Sequence, residues 1–177
     1  MAGNNHMQRI SLRRLAAALL PGIILLSAPV MSQADGYIML GATSKGAPAM
    51  SLGLDRTFDL ARWHPQLTLR LGSGVLLLLG DDGDDNAAWT LTPALRWSFA
   101  GERGVFAEAG IGAALFLNTR HEERHLSTAF QFEDRLAFGM ALGRGELSAS
   151  LIHYSNAGIK RPNNGFEILS LGYRHSF

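Results

Sequence analysis

Between residues 105 and 117 apolar side chains recur at every second position: Val105, Ala107, Ala109, Ile111, Ala113, Leu115 and Leu117. The alternate positions hold Glu108, Gly110 and Gly112, with Asn118 following. Successive side chains of a strand point to opposite faces, so this period describes a strand with one greasy and one polar face. Leu91, Pro93, Leu95, Trp97 and Phe99 repeat the pattern against Thr92, Ala94, Arg96 and Ser98. So do Phe130, Phe132, Leu136, Phe138, Met140 and Leu142, with Asp134 as the exception. Met50, Leu52, Leu54 and Phe58 give a shorter case broken by Arg56. The alternation fails near Leu76 to Leu79 and is weak around Tyr37 to Thr43. After the N-terminal segment, no stretch supplies the roughly 20 apolar residues of a spanning helix.

Turn signals divide the chain into strands near 36–44, 49–58, 66–79, 88–99, 105–117, 128–142, 146–156 and 166–177. Eight is an even number, as closed single-chain outer-membrane barrels require. The connections Ala100 to Gly104 and Gly143 to Gly145 are tight, whereas Gly80 to Ala87, Asn118 to Ser127 and Ala157 to Gly165 are longer and polar. Short turns on one side and long loops on the other are the pattern of such barrels. The fold expected is therefore all-β, an eight-stranded antiparallel transmembrane β-barrel of the outer membrane. The competing arrangement is a soluble barrel with its greasy face inward; against it stands the other face, with Gly110, Gly112, Ser148, Ser150 and Gly172, which is poor material for a packed core. Barrels of this size have interiors filled by side chains. Arg70, Arg96 and Glu108 are expected to form an internal polar network, and no pore is expected. Trp63, Trp89, Trp97, Tyr154 and Tyr173 suit the interfacial belts.

The N-terminus reads as an export signal and the C-terminus as an assembly signal. Arg13-Arg14 precede an apolar run from Leu15 to Leu26, and Ser32-Gln33-Ala34 places small residues where a signal peptidase cuts. Pro21-Gly22 interrupts the run, which is too short to span a bilayer. Residues 1–34 read as a signal peptide and 35–177 as the barrel. Without Arg9, Arg13 and Arg14 the formal charge falls from +1 to −2, so charge gives no support to a nucleic-acid partner. The chain has no cysteine, which excludes disulfides and thiolate metal sites. Leu169, Leu171, Tyr173, His175 and Phe177 alternate to a terminal phenylalanine, which resembles the signal that assembly machinery reads in outer-membrane barrels.

The stretch His153-Tyr154-Ser155-Asn156-Ala157-Gly158 to Glu167 holds the most chemistry. His153 and Ser155 share a strand face with Leu147, Ala149 and Leu151, the lipid-facing one by alternation. Glu167 shares a face with Leu169 and Leu171. A hairpin setting His153 opposite Glu167 brings their Cβ atoms to about 5 Å. A serine hydroxyl is a weak nucleophile until a base takes its proton. His153 is placed to be that base, and Glu167 to orient it. The Asn- and Gly-rich loop between the strands can supply oxyanion donors. A site there lies at the outer rim, where polar groups on the lipid face cost only about 0–1 kcal/mol. Its first substrate would be a lipid ester. The competing reading makes His153 and Ser155 ordinary interfacial polar residues and Glu167 a loop-edge charge.

Two other clusters compete for attention. His121-Glu122-Glu123-Arg124-His125 matches H-E-x-x-H, which binds zinc when both histidines share a helix face. Here it falls in a polar loop between alternating strands, so a solvated loop and no metal site are expected. Asp81-Asp82-Gly83-Asp84-Asp85-Asn86 offers oxygen ligands for calcium but lacks the spacing of an EF-hand loop. It too reads as solvated.

Phe132-Glu133-Asp134-Arg135, Ile152 to Gly158, Lys160 to Gly165 and Glu167 together resemble the C-terminal signature of the lipid A 3-O-deacylases of the PagL type. Ala107 to Gly112 is similar to that family's middle strand. The resemblance is specific over roughly 104–177 and vague before it, with Val75 to Leu79 and the acidic loop departing most. It implies His153, Ser155 and Glu167 as the catalytic triad and Asn163 in the oxyanion hole. It further implies an active site facing the outer leaflet, lipid A or lipopolysaccharide as substrate, release of a 3-hydroxy fatty acid, and no cofactor. A phospholipase-type esterase and a non-catalytic structural barrel are the alternatives, and monomer and homodimer both stay open.

Overall fold

The computed structural model describes residues 34–80, 85–99 and 104–177. The strands are β1 (Asp35–Thr43), β2 (Pro48–Asp59), β3 (Leu67–Leu78), β4 (Asn86–Ser98), β5 (Phe106–Phe116), β6 (Arg120–His121), β7 (Arg124–His125), β8 (Phe130–Leu142), β9 (Gly145–Ser155) and β10 (Phe166–His175). The eight long strands close into an antiparallel barrel in the order β1-β10-β9-β8-β5-β4-β3-β2. Closure leaves none of them with an unpaired edge. Their ends agree with the sequence expectation to within two residues. The segment expected to be a signal peptide, most of the acidic loop and the tight turn after Phe99 lie largely outside the described residues.

The outer face is apolar. Ile111, Leu136, Phe138, Leu169 and Leu171 each expose more than half of their surface. The lumen holds Arg70, Arg96, Glu108, Glu133 and Arg135, all buried. A greasy outside around a polar inside is the distribution of a barrel embedded in lipid. Buried charges are tolerable only when paired. Glu108 accepts Arg70 Nε on Oε1 and Arg96 Nε on Oε2, both at 2.9 Å. Arg70 continues to Asp55 at 3.2 Å, and Arg96 to Glu146 at 2.7 Å. These groups occupy the end of the lumen near the short turns.

The opposite end differs. Leu76, Leu78, Ala114, Phe116, Leu126, Ile152, Tyr154, Phe166 and Ile168 form an apolar plug inside the barrel, beneath the long loops. The expected polar network of Arg70, Arg96 and Glu108 therefore fills one end of the lumen, and apolar side chains fill the other. The plug also explains why alternation failed at Leu76 to Leu79, since there both faces are apolar. The expectation of Tyr154 in an interfacial belt is corrected. It is buried in the plug, edge-on to Phe116 at 5.4 Å, and its hydroxyl donates to Glu133 Oε2 at 2.9 Å. Strand parity forces this, because Tyr154 sits between two outward residues. Trp63, Trp89, Trp97 and Tyr173 are exposed.

The segment containing His121 to His125 is likewise corrected. Instead of a solvated loop it is the β6–β7 hairpin, with Arg120 opposite His125 and His121 opposite Arg124. His121 is buried against Phe166 of the plug, their ring centroids 6.1 Å apart. The helix that an H-E-x-x-H zinc site needs is not what this segment forms.

Candidate active site

β9 ends at Ser155 and β10 begins at Phe166, so the loop 156–165 connects them at the plug end of the barrel. The register sets Glu167 directly opposite His153. Ile152 and Tyr154 point inward and are buried, which turns His153 and Ser155 outward. His153 Nδ1 lies 3.0 Å from Glu167 Oε1, with the two side chains 40% and 47% exposed. A carboxylate at Nδ1 favours the proton there and leaves Nε2 as the basic nitrogen.

Ser155 stands one pleat beyond His153 on the same face. Gly165 fills the space beside both. A Cβ added to Gly165 would lie 3.0 Å from His153 Cε1, 3.2 Å from Ser155 Cβ and 2.6 Å from the Tyr154 carbonyl oxygen. Only a residue without a side chain lets the loop return this closely. No hydrogen bond joins Ser155 Oγ to His153 here. Such bonds are often loose in substrate-free sites and tighten in the complex.

Asn156 organises the loop and is fully buried. Its Nδ2 donates to the carbonyls of Leu126 (2.9 Å) and Lys160 (2.8 Å), and its Oδ1 accepts Gly158 N (2.8 Å). Asn156 N donates in turn to Asn163 Oδ1 at 3.0 Å. That bond fixes which end of the Asn163 amide is which. The oxygen holds the loop, and the two N–H donors are left for another acceptor.

The sequence reading missed Ser44 and Arg124. Glu167 Oε2 accepts the Ser44 hydroxyl at 3.0 Å, and Ser44 N donates to the Glu167 carbonyl at 2.9 Å. Arg124 Nη2 donates to Ser44 Oγ, and Nη1 to the Gly165 carbonyl, each at 3.0 Å. One signal was available: closing eight strands sets the end of β1 beside the start of β10, with Thr43 opposite Ile168. Asp134 flanks His153 from the other side, opposite it across β8 and β9, yet is not hydrogen-bonded to it. Among the described residues no three His, Asp or Glu side chains converge on a common point to hold a metal ion.

Comparison with known proteins points one way. The family described as Lipid A 3-O-deacylase (PagL) matches residues 46–176. A curated relative from Pseudomonas aeruginosa, lipid A deacylase PagL, is 35% identical over 147 residues, covering 80% of this chain and 85% of the relative. The protein of the same name from Bordetella bronchiseptica is 41% identical over 86 residues, 48% of this chain and 47% of that one. The crystal structure of the outer membrane enzyme PagL superposes with a TM-score of 0.75 at 34% identity, over 81% of this chain and 99% of the other. With sequence and barrel in agreement along most of its length, the chain belongs to the lipid A 3-O-deacylase (PagL) family.

Proposed function

We propose that this protein is a lipid A 3-O-deacylase of the outer membrane that uses Ser155 as a nucleophile. The observation that carries the mechanism is the 3.0 Å contact between His153 Nδ1 and Glu167 Oε1, with Ser155 one pleat away on an apolar exterior. In water such a site would meet soluble esters. On the lipid face of a barrel it meets the ester carbonyls of the surrounding leaflet. The long loops and the site share one end, and long loops lie outside the cell in such barrels. The site therefore faces the outer leaflet near the extracellular rim, where lipid A resides.

Ser155 Oγ attacks the carbonyl of the acyl ester at the 3-position while His153 Nε2 takes its proton. Glu167 stabilises the imidazolium that forms. The Asn163 amide N–H groups are the side-chain donors for the tetrahedral oxyanion. As that intermediate collapses, His153 returns the proton to the sugar 3-oxygen, which leaves as the alcohol. Water then attacks the acyl-serine with His153 again as base, releasing the 3-hydroxy fatty acid and restoring Ser155. No step needs a metal or cofactor.

Mass spectrometry of lipid A from cells producing the full chain or its Ser155→Ala variant tests this. Loss of one 3-hydroxyacyl group with the parent, and none with the variant, is expected. Unchanged lipid A, both in cells and with purified lipopolysaccharide in detergent, would sink the proposal. Cleavage of diacyl phospholipid in preference to lipopolysaccharide would replace it with a phospholipase.

A further inference from the structure

Glu167 is a half-exposed carboxylate on a long side chain, and one hydrogen bond to His153 leaves its plane free to turn about that contact. The structure provides a second hold on the other oxygen. Oε1 faces His153 and Oε2 faces Ser44, each at 3.0 Å. Two partners on two oxygens fix the plane of the carboxylate as well as its position. Ser44 is itself held by its main chain, whose N–H donates to the Glu167 carbonyl at 2.9 Å.

The direction of the Ser44 hydroxyl follows from its other neighbour. A guanidinium can only donate. Arg124 Nη2 donates to Ser44 Oγ at 3.0 Å, so the hydroxyl proton is directed to Glu167. The same guanidinium reaches the Gly165 carbonyl at 3.0 Å through Nη1. Gly165 is the residue that fits against both His153 and Ser155. One side chain thus braces the acid end of the relay and the wall of its nucleophile end. Lysine carries the same charge without the planar fork that serves two acceptors at once.

Arg124 owes its place to the β6–β7 hairpin. Glu122 Oε1 accepts Thr43 Oγ1 at 2.6 Å and Ala47 N at 3.2 Å, docking that hairpin on the β1–β2 turn. We infer that Ser44 and Arg124 are positioning residues of the proposed Ser155–His153–Glu167 triad, and that the H-E-x-x-H segment serves the site by presenting Arg124 rather than by holding a metal. The inference rests on that triad reading.

The test uses the purified full chain in detergent, with p-nitrophenyl butyrate and with lipopolysaccharide as substrates. The folded fraction is followed by heat-modifiable gel mobility. Ser44→Ala is expected to lower kcat about tenfold to a hundredfold, the worth of one hydrogen bond to a charged group, with KM and folded fraction unchanged. Ser44→Thr, which keeps the hydroxyl, restores most of the loss, and Arg124→Lys reproduces the fall. In a Glu167→Ala background, adding Ser44→Ala changes nothing further, because Ser44 acts only through Glu167. Parental kcat in Ser44→Ala beside an inactive Ser155→Ala would overturn the inference and leave the triad standing. So would equal losses in Ser44→Ala and Ser44→Thr, or additive losses with Glu167→Ala. An active Ser155→Ala would remove the triad and this inference together.

Discussion

His153 on β9 and Glu167 on β10 are direct cross-strand partners, and their side chains meet at 3.0 Å on the outer face of the barrel. The pairing comes from hairpin register, so the contact is set by the same main-chain ladder that holds the two strands together. Replacing Glu167 by Gln keeps the shape of the pair but offers His153 either a neutral oxygen or an amide donor. The expected result is a kcat reduced by about 10²-fold or more with little change in KM, read from initial rates on lipopolysaccharide in detergent.

Asp134 supplies a control for that experiment. It is the other cross-strand neighbour of His153, also outward and acidic, but without a hydrogen bond to the imidazole. Asp134→Asn is expected to retain near-parental kcat. A loss as deep as that of Glu167→Gln would mean that the wrong carboxylate has been assigned.

Asn163 allows its two ends to be tested separately. Asn163→Asp keeps an oxygen for the Asn156 N–H and so preserves the loop, but it removes the N–H donors. A kcat lower by about 10²–10³-fold, the usual cost of losing an oxyanion donor, is expected from Asn163→Asp with unchanged folding. Crystals of that variant should show loop 156–165 in its present path. Full activity in Asn163→Asp would assign the oxyanion to other donors.

At Gly165 the prediction is steric. A methyl there would press on the Tyr154 carbonyl at 2.6 Å, and main chain cannot yield as a flexible side chain can. Gly165→Ala should displace the loop from His153 and Ser155. Displacements of about 1 Å at such a site cost on the order of 10²-fold in rate. Thermal unfolding should be nearly unchanged, because the strain is confined to the loop's last residue.

Far from the site, Glu108 links two buried arginines. Glu108→Ala leaves both without that partner inside the lumen, a change that costs about 3–5 kcal/mol for breaking a buried pair. Urea titration of the barrel in detergent micelles should show a lower midpoint, while kcat measured without urea stays close to the parent's. A midpoint unmoved by the change would indicate that Asp55 and Glu146 alone satisfy Arg70 and Arg96.

Much of the architecture was readable from parity alone. In each barrel strand the lipid face must be apolar, so positions such as Leu95, Ile111, Leu136 and Leu169 announce both the strand and its orientation. Parity became silent where the interior was apolar too, at Leu76 to Leu79. Tyr154 has the aromatic character of a belt residue, but its place between His153 and Ser155 points it into the lumen. The pairing of His153 with Glu167 is short-range and follows from one hairpin. Ser44 lies 123 residues from Glu167 in sequence, and only the closure of the whole sheet makes them neighbours. Arg124 was hidden by a motif whose usual meaning assumes a helix.

Closure of the ring ties the candidate site to its seam. β1 is the first strand of the chain and β10 the last, and the seam between them is where Ser44 meets Glu167. His153, Ser155 and Glu167 belong to one hairpin, whereas the Ser44 brace on the carboxylate requires the first strand to meet the last. The carboxylate of the proposed relay is held on both oxygens only in the closed ring, so shutting the barrel and bracing its candidate site are one event.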